Sequence, residues 1–224
     1  YLQFALDKIL DYNSRQTRWH YNRGVLIGTF GRHDFSLKWT FGEMVYAGPS
    51  SGLYWGLSQV LDAYHGLSEL TNSTNQNDTI DEKIHLLNCS ANELKDISES
   101  SVDAIVMDPP YYDNVMYAEL SDFFYVWFKK YLDDVYPDLF GSSLTNKNKE
   151  AVANPSKFSE IADETTSKSE LAKSDYETKM EDIFSELYRV IEPGGVMTVM
   201  FTHKETDAWD TLTMSLINSG FTIT

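Results

Sequence analysis

Four consecutive residues, Asp108-Pro109-Pro110-Tyr111, place a carboxylate, two prolines and an aromatic ring directly after the apolar run Val102–Met107. Neither proline can donate to a sheet ladder, so the run is predicted to be a strand that stops here and gives way to a fixed turn. Asp108 can accept a hydrogen bond from an exocyclic amine, the Pro109 carbonyl can accept a second, and Tyr111 offers a face to a planar base. Two acceptors on one NH2 group direct its nitrogen lone pair toward an electrophile. An amino nitrogen made poorly nucleophilic by conjugation with its ring is thereby set to attack a methylsulfonium without a covalent protein intermediate.

Other chemistry-bearing residues cluster around this one. Tyr112, Asp113 and Asn114 extend the loop, where Tyr112 and Asn114 can touch the base or its sugar, or Asn114 can cap the helix that follows. His203 and Lys204 follow a second apolar run and can contact phosphate or base, or simply cap and solvate that end. Glu119 and Asp122 lie three apart with no His or Cys cluster beside them, so no metal site is expected. Cys89 is expected to be a small buried thiol, since no base accompanies it.

The elements that must position these residues can be read from periodicity. Residues 1–12 and Leu53–Leu70 have apolar residues at helical spacing, and Gly24–Phe30 is a short Gly-bounded apolar strand or tight buried turn. Thr71–Asp81 is a polar loop. Ile84–Leu87 and Val102–Met107 are predicted strands, joined by a helical or looped connection through Glu93–Ile97. An aromatic-rich helix covers Met116–Leu132, and a polar stretch at 133–174 is either an insertion or a mobile lid. A helix at Tyr176–Ile191, closed by Pro193-Gly194-Gly195, leads into the strand Val196–Phe201, then a helix at Thr206–Asn218, Gly220 as its cap, and a strand opening at Phe221–Thr224. Strands alternating with helices predict an α/β layer with a largely parallel sheet, whose ligands sit at the strands' carboxyl ends.

Composition narrows the classes. With 224 residues and 42% hydrophobic side chains, one sizeable core is possible, and a disulfide scaffold is excluded by the single cysteine. No apolar run approaches the roughly 20 residues needed to cross a bilayer. A membrane partner is therefore not expected, and a reducing, cytoplasmic setting is. The net charge of −16 excludes an all-over basic binder of nucleic acid, yet residues 1–50 carry six basic side chains against four acidic ones. The other 174 residues then hold −18. Arg15, Arg18, Arg23 and Arg32 are interleaved with Trp19, His20, Tyr21, Phe30 and His33, a mixture suited to phosphate contact and base stacking, or to an ordinary solvated face. The abrupt ends at Tyr1 and Thr224 lead us to expect a piece of a larger polypeptide: a basic segment and helix over 1–75, and an α/β catalytic half over 76–224, within a single domain.

Asp108–Tyr111 resembles the (D/N/S)-P-P-(Y/F) motif of S-adenosylmethionine-dependent amino-methyltransferases. The segments RWHYNRG (18–24), FGRHDFSLKWTFGEM (30–44), DPPYYDNVMYAELSDFFYVWFKK (108–130), EAVANP (150–155) and GGVMTVMFTHKETDAW (194–209) look like the large, multi-part predicted adenine-specific DNA methylases of archaea and bacteria. That resemblance implies a Rossmann-like methyltransferase sheet, here incomplete, with helical additions and the 133–174 insertion. It implies N6-adenine methylation of DNA, with Asp108, Pro109, Pro110 and Tyr111 as the catalytic motif and S-adenosylmethionine as cofactor. Two features depart from the family pattern. The Gly-rich loop that contacts the methionine part of the cofactor is missing, and Gly28-Thr29-Phe30-Gly31 is a poor substitute. A Gly-Asp pair expected after the strand at 84–87 is replaced by Cys89-Ser90, which leaves Asn88, Ser90 or Asn92, with Asp108, as the cofactor-binding candidates. The alternatives are an RNA or protein amino-methyltransferase, whose motifs usually begin with Asn, and a non-catalytic DNA-binding or scaffolding fragment.

Overall fold

Leu2, Ala5, Leu6 and Ile9 fall on one helical stripe, and the chain opens with helix α1 (Leu2–Asp11) in a computed structural model that describes residues 1–35, 37–48, 51–72, 84–161 and 166–224. Most of the predicted loop Thr71–Asp81 lies outside the described residues, as do 162–165 of the polar stretch. The chain divides into two compact units, one made of residues 1–86 with 119–145 and the other of 87–118 with 146–224. No helix among the described residues is long and apolar enough to cross a membrane.

In the first unit α1 packs on α2 (Gly52–Asn72), and the crossing needs Gly56, where a Cβ would lie 2.6 Å from the Ala5 carbonyl. Between them, β1 (Arg18–His20) and β2 (Val25–Ile27) form an antiparallel hairpin through a 3-10 turn at Tyr21–Arg23. Gly24 closes that turn at φ 60°, a left-handed conformation that suits a residue without Cβ. The predicted segment Gly24–Phe30 thus divides into a strand and a buried turn, which the Thr29 N–H and hydroxyl fix by donating to the Asp11 carbonyl at 2.7 Å each. Phe30 stacks on Phe124 of α3 (Tyr117–Leu132), with ring centroids 5.2 Å apart. A short helix α4 (Pro137–Phe140) follows, its Phe140 ring stacked on Phe128.

The second unit is built on a parallel pair, β3 (Val102–Met107) beside β4 (Ile191–Val199). Val102 faces Ile191 but Ala104 faces Val196, so Pro193-Gly194-Gly195 lies inside β4 as a bulge opposite Asp103. The helix ends at Val190, one residue short of the expected Ile191, but Pro193-Gly194-Gly195 does not close it, because β4 begins before those residues and contains them. Helices α5 (Lys168–Val190) and α6 (Thr206–Asn218) complete the unit. Along α5, Ala172, Tyr176, Met180, Phe184 and Leu187 recur at helical spacing and form the core with Leu212 and with Ile105, Met107, Met197 and Val199 of the strands.

Several expectations are corrected. Ile84–Leu87 is not a strand: it forms no ladder, its apolar side chains are exposed, and Cys89 beyond it is exposed rather than buried. Phe221–Thr224 likewise joins no sheet. The described residues contain one parallel pair and one hairpin, an α/β arrangement smaller than the expected sheet. The polar stretch is not wholly an insertion or lid, because Ala151, Val152 and Ala153 are buried and α5 begins at Lys168, eight residues before Tyr176. A capping box opens α5: the Ser167 hydroxyl accepts from the Glu170 N–H, and the Glu170 carboxylate accepts from the Ser167 N–H at 2.8 Å. The Ser167 N–H and hydroxyl, both donating to the Glu170 carboxylate, hold that carboxyl below its ordinary pKa. Replacing Ser167 with Ala is expected to lower stability by about 1 kcal/mol and the melting temperature by roughly 2–4 °C, measured by thermal circular dichroism.

Candidate active site

β3 delivers the Asp-Pro-Pro-Tyr sequence to its own carboxyl end. The Met107 carbonyl accepts the last inter-strand bond, from the Met200 N–H at 2.9 Å, and beyond it the ladder stops. Asp108 is exposed and Pro109 buried. The two proline carbonyls differ in a way that matters for chemistry. That of Pro110 is taken by the Tyr112 N–H and by the Tyr176 hydroxyl, each at 3.0 Å, whereas that of Pro109 accepts nothing from the described residues. Burial pushes the Tyr176 hydroxyl's pKa up and keeps it a donor. Hydrogen bonding to the neighbouring Asp108 carboxylate, then burial and the charge of that carboxylate, raise the pKa of the Tyr111 hydroxyl. An exposed carboxylate, with lone pairs to spare beyond the Tyr111 hydroxyl, and an unpartnered carbonyl on the adjacent residue are the kind of acceptor pair that an amino group requires.

The loop beyond is pinned on several sides. Tyr112 has φ +56°, a left-handed conformation that a tyrosine holds only against a strain of about 1–3 kcal/mol. Its carbonyl accepts from the Ala153 N–H at 3.1 Å, and its ring packs edge-on to Tyr176 at 5.2 Å. The Asn114 N–H donates to the Tyr111 carbonyl at 3.1 Å, closing a turn. Helix α3 starts three residues later at Tyr117, so Asn114 is not its cap; the Glu150 carboxylate instead accepts from the Ala118 N–H at 2.9 Å. Tyr111 packs edge-on to Phe201, 5.5 Å away, and Phe201 packs on Trp209, whose indole N–H donates to the His203 carbonyl at 3.0 Å. Tyr176 and Ala153, which sequence reasoning missed, are the supports of this loop. The signal for Tyr176 was present in its four-residue spacing from Met180 and Phe184.

The remaining candidates fare differently. His203 is closed off: its side chain is fully buried, with Nε2 at 3.0 Å from Asp113 Oδ1, and no ring atom is presented to a phosphate. Lys204 is well exposed, 3.8 Å from Glu205. Asn88 and Ser90 are exposed on a segment outside any strand, where the Ser90 carbonyl accepts from the Glu93 N–H at 2.9 Å. In the first unit Arg15, Arg18 and Arg23 are exposed and make no ion pair with the described residues, whereas Arg32 is paired with Asp34 at 2.9 Å. Among the described residues no three His, Cys, Asp or Glu side chains converge as metal ligands.

A cavity of about 740 Å³ opens between β4, α6 and the Gly220–Thr224 segment. It borders Phe201 and Trp209, on whose ring cluster Tyr111 packs, but its lining includes none of Asn88, Ser90 and Asp108. By volume it could hold a ligand, yet the acceptor pair lies outside it. Compared with protein-family models, with curated proteins and with solved structures, the chain has no significant match.

Proposed function

We propose that this chain carries the amino-group-binding part of an S-adenosylmethionine-dependent DNA adenine N6-methyltransferase of the Rossmann-like kind. The observation that carries the reading is Asp108-Pro109-Pro110-Tyr111 at the carboxyl end of a parallel strand, with the Asp108 carboxylate exposed and the Pro109 carbonyl unpartnered among the described residues. An adenine amine donating one N–H to each acceptor would have its nitrogen oriented for transfer, with the base against Tyr111. A base inside a duplex cannot reach these groups, so the target has to be flipped out. Exposed Arg15, Arg18 and Arg23 are assigned to the phosphate backbone in this reading. Radiolabelled methyl transfer to adenine-containing DNA by the full-length protein, with RNA as competitor, tests it. Preference for RNA would favour the alternative amino-methyltransferase.

The residues proposed for the cofactor do not form a pocket for it. Asn88 and Ser90 are exposed on a segment without a ladder, and the large cavity lies elsewhere. No step through S-adenosylmethionine is therefore derived from this chain, and the same observation favours a second reading in which the chain alone is a DNA-binding or scaffolding segment. Calorimetry tests the second reading: this chain is expected to show no S-adenosylmethionine binding tighter than about 1 mM, and a Kd near 1 μM, about −8 kcal/mol, would remove the ground for a non-catalytic segment.

A further inference from the structure

Both nitrogens of the buried His203 ring are engaged, one by its own chain two residues on and the other by the loop. The Glu205 N–H donates to Nδ1 at 3.1 Å, and Nε2 lies 3.0 Å from Asp113 Oδ1. A ring nitrogen that accepts from an amide carries no proton, so the hydrogen resides on Nε2 and points at the Asp113 carboxylate. The backbone of residue 205 thereby sets the tautomer. The ring is also held between Tyr112, edge-on at 5.6 Å, and Phe201, near-parallel at 6.5 Å. Phe201 in turn bears on Tyr111. Asp113 immediately follows the left-handed Tyr112, the residue in this loop with a conformation that has to be enforced from outside.

We infer that His203 is a positioning residue: through Nε2–H···Oδ1 to Asp113 it holds the turn at Tyr112 and so fixes where the Pro109 carbonyl and the Tyr111 ring point. Its effect on rate rests on the methyltransferase reading, while its tautomer and its effect on the loop do not. His203→Phe keeps a flat ring and removes the donor. His203→Gln replaces Nε2–H with an amide N–H of similar reach, and Asp113→Ala removes the acceptor. Methyl transfer by the full-length protein is expected to lose about 10- to 100-fold in kcat for His203→Phe and for Asp113→Ala, with KM for DNA changed less than about twofold. The double variant should be no slower than either single one, and His203→Gln should recover to within about threefold of the wild type.

A phosphate contact would instead raise KM and leave kcat intact, and a purely packing role would give additive losses without rescue by Gln; either result overturns the inference. Long-range proton–nitrogen NMR of the His203 ring reads the tautomer without any activity, and a proton on Nδ1 overturns it as well. Melting temperatures of each variant identify any that fails to fold, and for such a variant the His203→Gln measurement and the NMR assignment decide. Should Asp108→Ala retain activity, the methyltransferase reading fails on its own, and the NMR result still judges the clamp.

Discussion

Asp108→Ala is expected to reduce methyl transfer by about 10³-fold or more while leaving the fold intact. Removing one preorganised hydrogen-bonding group from a reacting centre typically lowers the rate by about 10²–10³-fold, and here the charge beside the nitrogen is lost as well. Asp108 is exposed, and its side chain supports no core residue, so the stability change should stay within about 0.5 kcal/mol. Asp108→Asn keeps one carbonyl acceptor and should fall between, at about 10- to 100-fold. Single-turnover methylation with full-length protein, matched by thermal melts, measures both. Activity that survives the Ala substitution removes Asp108 from the chemistry.

Phe184→Ala is expected to have the largest effect on stability, about 3–5 kcal/mol, because the ring is fully buried at the centre of the α5 core and its loss leaves a cavity beneath the sheet. That is a large share of the 5–15 kcal/mol by which domains are commonly stable. The milder Phe184→Leu should remain folded and lose less. Leu2→Ala, at a side chain 75% exposed, serves as the control and should change little. Urea titrations followed by circular dichroism give the values, and a loss below about 1 kcal/mol for Phe184→Ala would place the core elsewhere.

What could be read from sequence follows the range of the interactions. The motif was legible because its four residues are consecutive and their chemistry is local. Helices α1, α2, α3 and α6 were legible because an apolar stripe is also local. The start of α5 was missed because Lys168–Asp175 is mostly polar, although Ser167 and Glu170 mark it through their capping box. Ile84–Leu87 shows the opposite failure, since apolar composition predicts a strand but a strand exists only where another chain segment completes its ladder. Ala151–Ala153 is too short to show a period, so its burial was hidden among polar neighbours. His203 and Asp113 are 90 residues apart, and nothing in a single sequence pairs them.

The register of β3 and β4 carries a kinetic consequence. Val102 pairs with Ile191 and Met107 with Val199, so the first bond formed in this ladder closes a loop of about ninety residues. The entropy of such a closure is on the order of 4 kcal/mol, and it is lost before any strand contact can repay it. Search for this pairing should therefore be slow compared with the formation of α5 or α6, whose bonds are local. The clamp from residue 203 to residue 113 lies just beyond the same ladder. Hydrogen exchange at Met200 and at Glu205, whose amides bond across the ladder and to the imidazole, should accordingly report one shared opening event rather than two.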